Sequence, residues 1–188
     1  AERAWLVFFR ALLWLFFREI EVEGAENVPR DRGGLLVSWH PNGMIDPGIL
    51  LTSFPRRVVF GARADLYRWP LLGAAMRAIG TVPIHHVALR PNADPEERRR
   101  ANRASLESLA REVGRGSFAA LFPEGQSHDA SHPVEIKTGA ARLYYQGREL
   151  APPGAPPPVI VPVGLFYVRK RLFRSRALVR FHPPLALP

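Results

Sequence analysis

Gly33-Gly34-Leu35-Leu36-Val37-Ser38-Trp39-His40-Pro41-Asn42-Gly43-Met44-Ile45-Asp46 is the stretch on which the fold turns. Leu35-Leu36-Val37 is a compact apolar run without polar alternation, the pattern of a strand covered on both faces. It runs into a Pro-Asn-Gly segment that ends the strand and turns the chain. Before it, Ile20-Glu21-Val22-Glu23 alternates apolar and charged residues, as a short strand does. After it, Val58-Val59-Phe60 is a second apolar run, and residues 66–79 have a helical pattern with Pro70 near the start and Gly80 at the end.

Farther along, Val82-Pro83-Ile84 reads as a short extended piece. Asp94 is a good N-cap, Pro95 suits the first helical position and Glu97 completes a capping-box pattern. Leu106, Leu109, Ala110 and Val113 keep helical spacing until Gly114 ends the helix. Residues 118–122 return as a strand, 138–145 as a short helix, and 159–163 and 177–181 as late strands. Residues 152–158 form a proline-rich surface loop. Strands alternating with helices predict an α/β fold, a mostly parallel mixed sheet flanked by helices.

The chain has 188 residues, of which 47% are hydrophobic and 23% charged, a composition that suits a folded domain and argues against disorder. The absence of cysteine excludes disulfides, a thiol nucleophile and cysteine zinc sites. The formal net charge is +9, carried almost wholly by arginine, since Lys137 and Lys170 are the only lysines. Such a surface suits anionic partners: an acidic membrane or a phosphate-bearing substrate. No nucleic-acid module accompanies it, and the Arg98-Arg99-Arg100 run reads as a solvated helix face. His40, His85, His86, His128 and His132 lack metal-ligand spacing, so neither a metal nor another cofactor is expected.

Residues 4–17, AWLVFFRALLWLFF, are nearly all apolar, yet fall short of the ~20 apolar residues that a spanning helix needs. At about 100° per residue, Arg3 and Arg10 project together and Arg18 lies on the same side, a cationic stripe on an apolar helix. Such a helix suits a membrane interface, with its arginines reaching the headgroups. The alternative is a helix packed on its own domain. The expected organisation is residues 1–18 as an amphipathic membrane-interface helix and 19–188 as the main domain. With no initiating methionine and an end soon after the last strand, the chain reads as a piece of a longer protein.

The groups that carry chemistry cluster at strand ends, where α/β sheets place reactive residues. His40 enters the Pro-Asn-Gly loop, and Asp46 follows shortly after. An imidazole near neutrality can take a proton from an alcohol, and a carboxylate on its other nitrogen fixes the tautomer. No G-x-S-x-G nucleophile motif is present, which favours direct attack by a substrate hydroxyl. Phe122-Pro123-Glu124-Gly125-Gln126-Ser127-His128-Asp129 closes a second strand, with Gly125 permitting close approach of a ligand. Lys137-Thr138-Gly139-Ala140-Ala141 sets a lysine and free amides at a helix start, a natural phosphate site.

Taken in order, HPNGMID, GTVPIHH, FPEG and IVPVG resemble the four motif blocks of the lysophospholipid and glycerol-phosphate acyltransferases, over roughly residues 22–184. The five residues between His40 and Asp46, with FPEGQSHD, KTGAA and FRSRA, resemble the glycerol-3-phosphate/dihydroxyacetone-phosphate acyltransferase branch. The chain departs from the family at Trp39 (usually Asn), His86 (often Arg) and Ser127 (often Arg). The resemblance implies a thioester donor, either acyl-CoA or acyl-carrier protein, and a glycerol-phosphate lipid acceptor. It implies His40 as base with Asp46 orienting it. It implies that the FPEG segment, with Glu124 and Gly125 and with His128 beside it, helps bind the acceptor; where the family's arginines are missing, Lys137, Arg63, Arg90, Arg174 and Arg176 are the candidate phosphate ligands. A monotopic enzyme on the cytoplasmic face of the inner membrane follows from that reading. The alternatives are an acyltransferase for another lysolipid acceptor and a non-catalytic lipid-binding protein, whose mark would be the loss of His40 or Asp46.

Overall fold

The computed structural model describes residues 2–84, 94–125, 127–128, 130, 132 and 134–188. Arg90 lies outside the described residues, as do His85 and His86. The elements are α1 (Glu2–Phe16), β1 (Phe17–Glu23), β2 (Gly34–Ser38), α2 (Ile45–Ser53), β3 (Val58–Arg63), α3 (Pro70–Ala78), β4 (Val82–Ile84), α4 (Pro95–Gly114), β5 (Phe118–Leu121), α5 (Gly139–Glu149), β6 (Val159–Tyr167) and β7 (Ser175–Phe181).

The strands form one seven-stranded sheet in the order β1-β7-β6-β2-β5-β3-β4. β2, β3, β4, β5 and β6 run parallel, while β7 joins β6 antiparallel and carries β1 parallel to itself. The sheet is therefore mixed and mostly parallel, as expected. β2 lies between β5 and β6, which is why its apolar run is continuous. Gly34 has no room for a side chain, since a Cβ there would lie 2.1 Å from the Val159 carbonyl oxygen on β6.

Alternate residues feed two core layers, as the period of two requires. Leu36, Phe60, Phe118, Ala120 and Val161 pack in one core with Leu13 of α1 and Ile49 and Leu50 of α2. Leu35, Val59 and Ala119 pack in the other with Leu109, Ala110 and Val113 of α4 and Leu143 and Tyr144 of α5. Arg56 binds the carbonyls of Pro29, Arg32 and Gly116 and lies 5.0 Å from the Phe118 ring, tying three loops together.

Three elements differ from expectation. The helix expected over 66–79 is a 3-10 turn, Ala64–Arg68, followed by α3. Trp69 between them is extended (φ −77°, ψ 121°), because the ring of a following proline disfavours helical backbone. β6 continues past Val163 to Tyr167, since β7 folds back on its far end, pairing Tyr167 with Ala177. α1 stops at Phe16, short of the expected boundary at 18, because Phe17 is buried and opens β1. Asp94 caps α4 as expected, its carboxylate accepting from the Glu96 amide at 3.1 Å. Among the described residues, no helix is long and apolar enough to cross a membrane.

Candidate active site

β2 and β5 are parallel neighbours, with Val37 opposite Leu121. The loops that follow them therefore begin side by side, and this brings the two strand-end motifs together. The His40 amide donates to Glu124 Oε2 at 2.9 Å, and the His128 amide donates to the His40 carbonyl at 3.1 Å. The Phe122 ring stacks on the His40 imidazole, centroids 4.0 Å apart and planes 11° from parallel. The imidazole is thus fixed in plane by neighbours from both loops.

His40 Nδ1 lies 2.8 Å from Asp46 Oδ2. With Nδ1–H donated to that oxygen, the lone pair on Nε2 is left to take a substrate proton. Asp46 is wholly buried in the first turn of α2, where the helix N-terminus favours a carboxylate. A buried carboxylate needs donors, and Asp46 has them. The Asn42 amide reaches Oδ2 at 2.7 Å, and the Tyr167 hydroxyl donates to Oδ1 through a short bond. Burial, foremost, and the Asp46 carboxylate beside it push the Tyr167 hydroxyl far above its ordinary value, so it remains a donor.

Glu124, expected to contact the acceptor, is bound within the protein. Its carboxyl is buried, and one oxygen takes the His40 amide while the other takes the Val134 amide at 3.1 Å. His128 Nε2 lies 3.0 Å from Oε1, an ion pair when the imidazole is protonated. Burial pushes this carboxyl up, but the His128 imidazole and the Val134 and His40 amides outweigh it and hold it below the usual range. Glu124 is therefore the brace that joins the two loops.

Gly125 has φ +74°, which favours glycine, and a Cβ there would lie 2.9 Å from Lys137 Nζ. The close neighbour that this glycine admits is thus Lys137, whose amide also donates to the Pro123 carbonyl at 2.9 Å. Arg63 ends β3 opposite Ile84. Arg174 and Arg176 turn toward α1 and β1. The Arg174 amide donates to the Phe16 carbonyl at 2.7 Å and its guanidinium to the Trp14 carbonyl at 3.4 Å, while Arg176 lies 3.9 Å from Glu19. The structure accordingly brings His40, Asp46, Glu124 and His128 together, and sets Arg174 and Arg176 at the sheet edge against the N-terminal elements.

Sequence reasoning missed Tyr167 and Lys170. Tyr167 stands beyond the expected end of β6, and only the antiparallel return of β7 shows that the strand continues. Lys170 Nζ donates to the Pro41 carbonyl at 3.0 Å, and Asn42 Nδ2 to the Lys170 carbonyl at 3.2 Å, so the β6–β7 turn clasps the loop that bears His40. Trp39 is structural: its Nε1 donates to the Leu165 carbonyl at 2.8 Å, pinning the same loop to β6.

The fold is similar to that of the 1-acyl-sn-glycerophosphate (LPA) acyltransferase of Thermotoga maritima, with a TM-score of 0.68, 19% identity, and coverage of 98% of this chain and 68% of that one. In sequence, the chain is 26% identical to the lyso-ornithine lipid O-acyltransferase of Rhizobium meliloti, over 73% of this chain and 42% of that protein. It is 24% identical to the 1-acyl-sn-glycerol-3-phosphate acyltransferase of Borreliella burgdorferi, over 90% of this chain and 62% of that protein. The chain thus spans less than two thirds of the length of either relative. The model of the family named Acyltransferase matches residues 19–165, a segment that runs from β1 into β6 and holds both His40 and Asp46, and the chain belongs to that family.

Proposed function

We propose that this protein transfers a fatty acyl group from a thioester donor, acyl-CoA or acyl-carrier protein, to a hydroxyl of glycerol-3-phosphate or 1-acylglycerol-3-phosphate. The observation that carries the reading is the buried Tyr167–Asp46–His40 chain, which leaves one imidazole nitrogen as a base. His40 Nε2 takes the proton of the acceptor hydroxyl as its oxygen attacks the thioester carbonyl carbon. The tetrahedral intermediate then collapses, breaking the carbon–sulfur bond, and the thiolate recovers the proton from the imidazolium. Asp46 stabilises that imidazolium while it exists. Ser38 is not a competing nucleophile, since it is buried and its hydroxyl donates to the Trp39 carbonyl at 3.1 Å. A lyso-ornithine lipid acceptor is a second reading, favoured by the likeness to the Rhizobium meliloti enzyme.

The same reading places the enzyme on a membrane surface, as its product is a lipid. On α1, Val7, Phe8, Leu12, Trp14 and Leu15 are exposed, Trp14 by 72%, and a lipid interface is the medium that would cover them. The cytoplasmic face of the inner membrane suits a donor made in the cytoplasm. The experiment is an acyl-transfer assay in which glycerol-3-phosphate, 1-acylglycerol-3-phosphate and lyso-ornithine lipid are crossed with acyl-CoA and acyl-carrier protein. Ester formation with one of the phosphorylated acceptors is expected. Turnover confined to the lyso-ornithine acceptor selects the second reading, and no ester with any pair refutes both.

A further inference from the structure

The β6–β7 turn, residues 168–174, reads VRKRLFR. Its three apolar side chains are all exposed, Val168 by 75%, Leu172 by 50% and Phe173 by 56%. A connection between strands ordinarily meets water with polar or turn-forming residues. Here large apolar groups stand among cations, and the segment holds no carboxylate. Single exposed apolar residues are ordinary, but a cluster continuous with a second apolar face marks a docking surface.

The second face is that of α1. The Phe173 ring meets the Phe16 ring edge-on, centroids 6.0 Å apart. Arg174 donates from its amide to the Phe16 carbonyl at 2.7 Å and from its guanidinium to the Trp14 carbonyl at 3.4 Å. Among the described residues, Arg174 is the one non-glycine with a left-handed backbone, φ 61°. Such strain persists only where the surroundings hold it, so the turn is fixed against the end of α1. On its other side, Lys170 donates to the Pro41 carbonyl and Asn42 to the Lys170 carbonyl, which fastens the turn to the loop that bears His40. Register explains the meeting. Phe17 pairs with Ser175 and Tyr167 with Ala177, so the end of α1, the turn and the end of β6 share one edge of the sheet. It is the edge from which β2, parallel to β6, delivers His40.

Chemistry selects the occupant. A second copy of the chain would set cations against cations, on a molecule of net charge +9. An anionic bilayer accepts both halves, since apolar side chains enter the acyl boundary while arginines reach the phosphates. The cations that contribute are Arg169, which is exposed, and Arg174, whose contact with a carbonyl leaves its charge in place. We propose that the β6–β7 turn inserts Val168, Leu172 and Phe173 into an anionic lipid surface as a second docking element beside α1, and that this two-point seat holds the His40 loop at the lipid face. The proposal rests on the membrane reading of α1 and deepens it.

The chain has no cysteine, so one introduced thiol takes a label at one place. The test attaches an environment-sensitive fluorophore to the full chain as L172C, V7C or A155C. Each is mixed with vesicles of equal parts phosphatidylglycerol and phosphatidylcholine, with and without nitroxides on the acyl chains. Val7 is exposed on α1, and Ala155 is exposed in the loop that leads into the start of β6, at the opposite edge of the sheet. Emission from L172C and V7C is expected to rise at least twofold on vesicles and to be quenched by the nitroxides, while A155C keeps its level in solution. Thermal melting verifies folding, and V168C takes the place of L172C if the latter does not fold. Unlabelled V168S/L172S is expected to sediment with the same vesicles at least tenfold more weakly than wild type. A response at V7C with a silent L172C, or wild-type vesicle affinity in folded V168S/L172S, overturns the proposal and leaves the membrane reading of α1 standing. A response at L172C with a silent V7C keeps the turn as a docking element and refutes that reading. Silence at both, or an equal response at A155C, overturns both.

Discussion

Tyr167 reaches Asp46 from the far end of β6, and its hydroxyl stays protonated because burial and the neighbouring carboxylate both disfavour its anion. Tyr167→Phe removes one donor from a buried carboxylate, a loss that typically costs about 1–3 kcal/mol. The expected outcome is a lower melting temperature and a kcat reduced by about tenfold, with acceptor KM little changed, because the hydroxyl acts through Asp46 and not on substrate. Steady-state kinetics of the purified variant check this; an altered KM with normal kcat would place Tyr167 on the substrate. Glu124 gives a pH prediction. Its carboxyl is held below its unfolded value of about 4.3, so the stability it contributes is present above that value and disappears as pH falls through the folded pKa. Melting curves of wild type and Glu124→Gln should differ most above pH ~5 and converge in stronger acid. A gap that stays constant down to the acid limit would mean that the brace is not ionic.

At the scale of elements, α1 is both attached and exposed. Leu13 and the following Phe17 enter the core, Arg10 donates to the Thr52 carbonyl of α2 at 3.1 Å, and the Arg174 amide closes the last turn of the helix. Deleting residues 1–18 would therefore remove core side chains; a Phe→Ala change alone at such a site costs about 3–5 kcal/mol. Substitution of the exposed face is the cleaner test of the proposed membrane role. Leu12, Trp14 and Leu15 changed together to serine should leave melting within a few degrees, because all three are exposed. Each apolar side chain inserted in lipid is worth ~1.5–3 kcal/mol, so vesicle binding should fall by at least a hundredfold. Sedimentation with anionic vesicles measures it, and equal binding by the variant would assign the face to something other than lipid. The strands also show what was legible in the chain. HPNGMID and FPEG could be placed because each stands at the end of a short apolar run and has a strand-breaking proline, Pro41 or Pro123, at its second position. The extension of β6 could not, because Gly164 interrupts the apolar pattern and the pairing that continues the strand is made by β7, many residues later.

For the whole molecule, the parallel alignment of β2, β5 and β6 converts motifs far apart in sequence into one site, as the C-terminal ends of all three strands meet at the same edge of the sheet. The order of the four motif blocks and the alternation of strands and helices made the α/β sheet and the His40–Asp46 pair readable in advance. The arginines were less readable. Charge alone does not say which way a side chain faces: Arg174, at the end of the β6–β7 turn, and Arg176, on β7, go to the N-terminal elements, while the middle of that turn carries Lys170 and Arg171 to the loop beside His40. The central claim is that His40 is the base of an acyl transfer, and it is tested most directly by comparing purified wild type with His40→Ala. Ester product and released thiol should be followed together under saturating donor and acceptor. The account predicts equal amounts of ester and thiol in the wild type, and a kcat in the folded variant lower by about 10²–10⁴-fold. Turnover within twofold of wild type in a folded His40→Ala protein would contradict it.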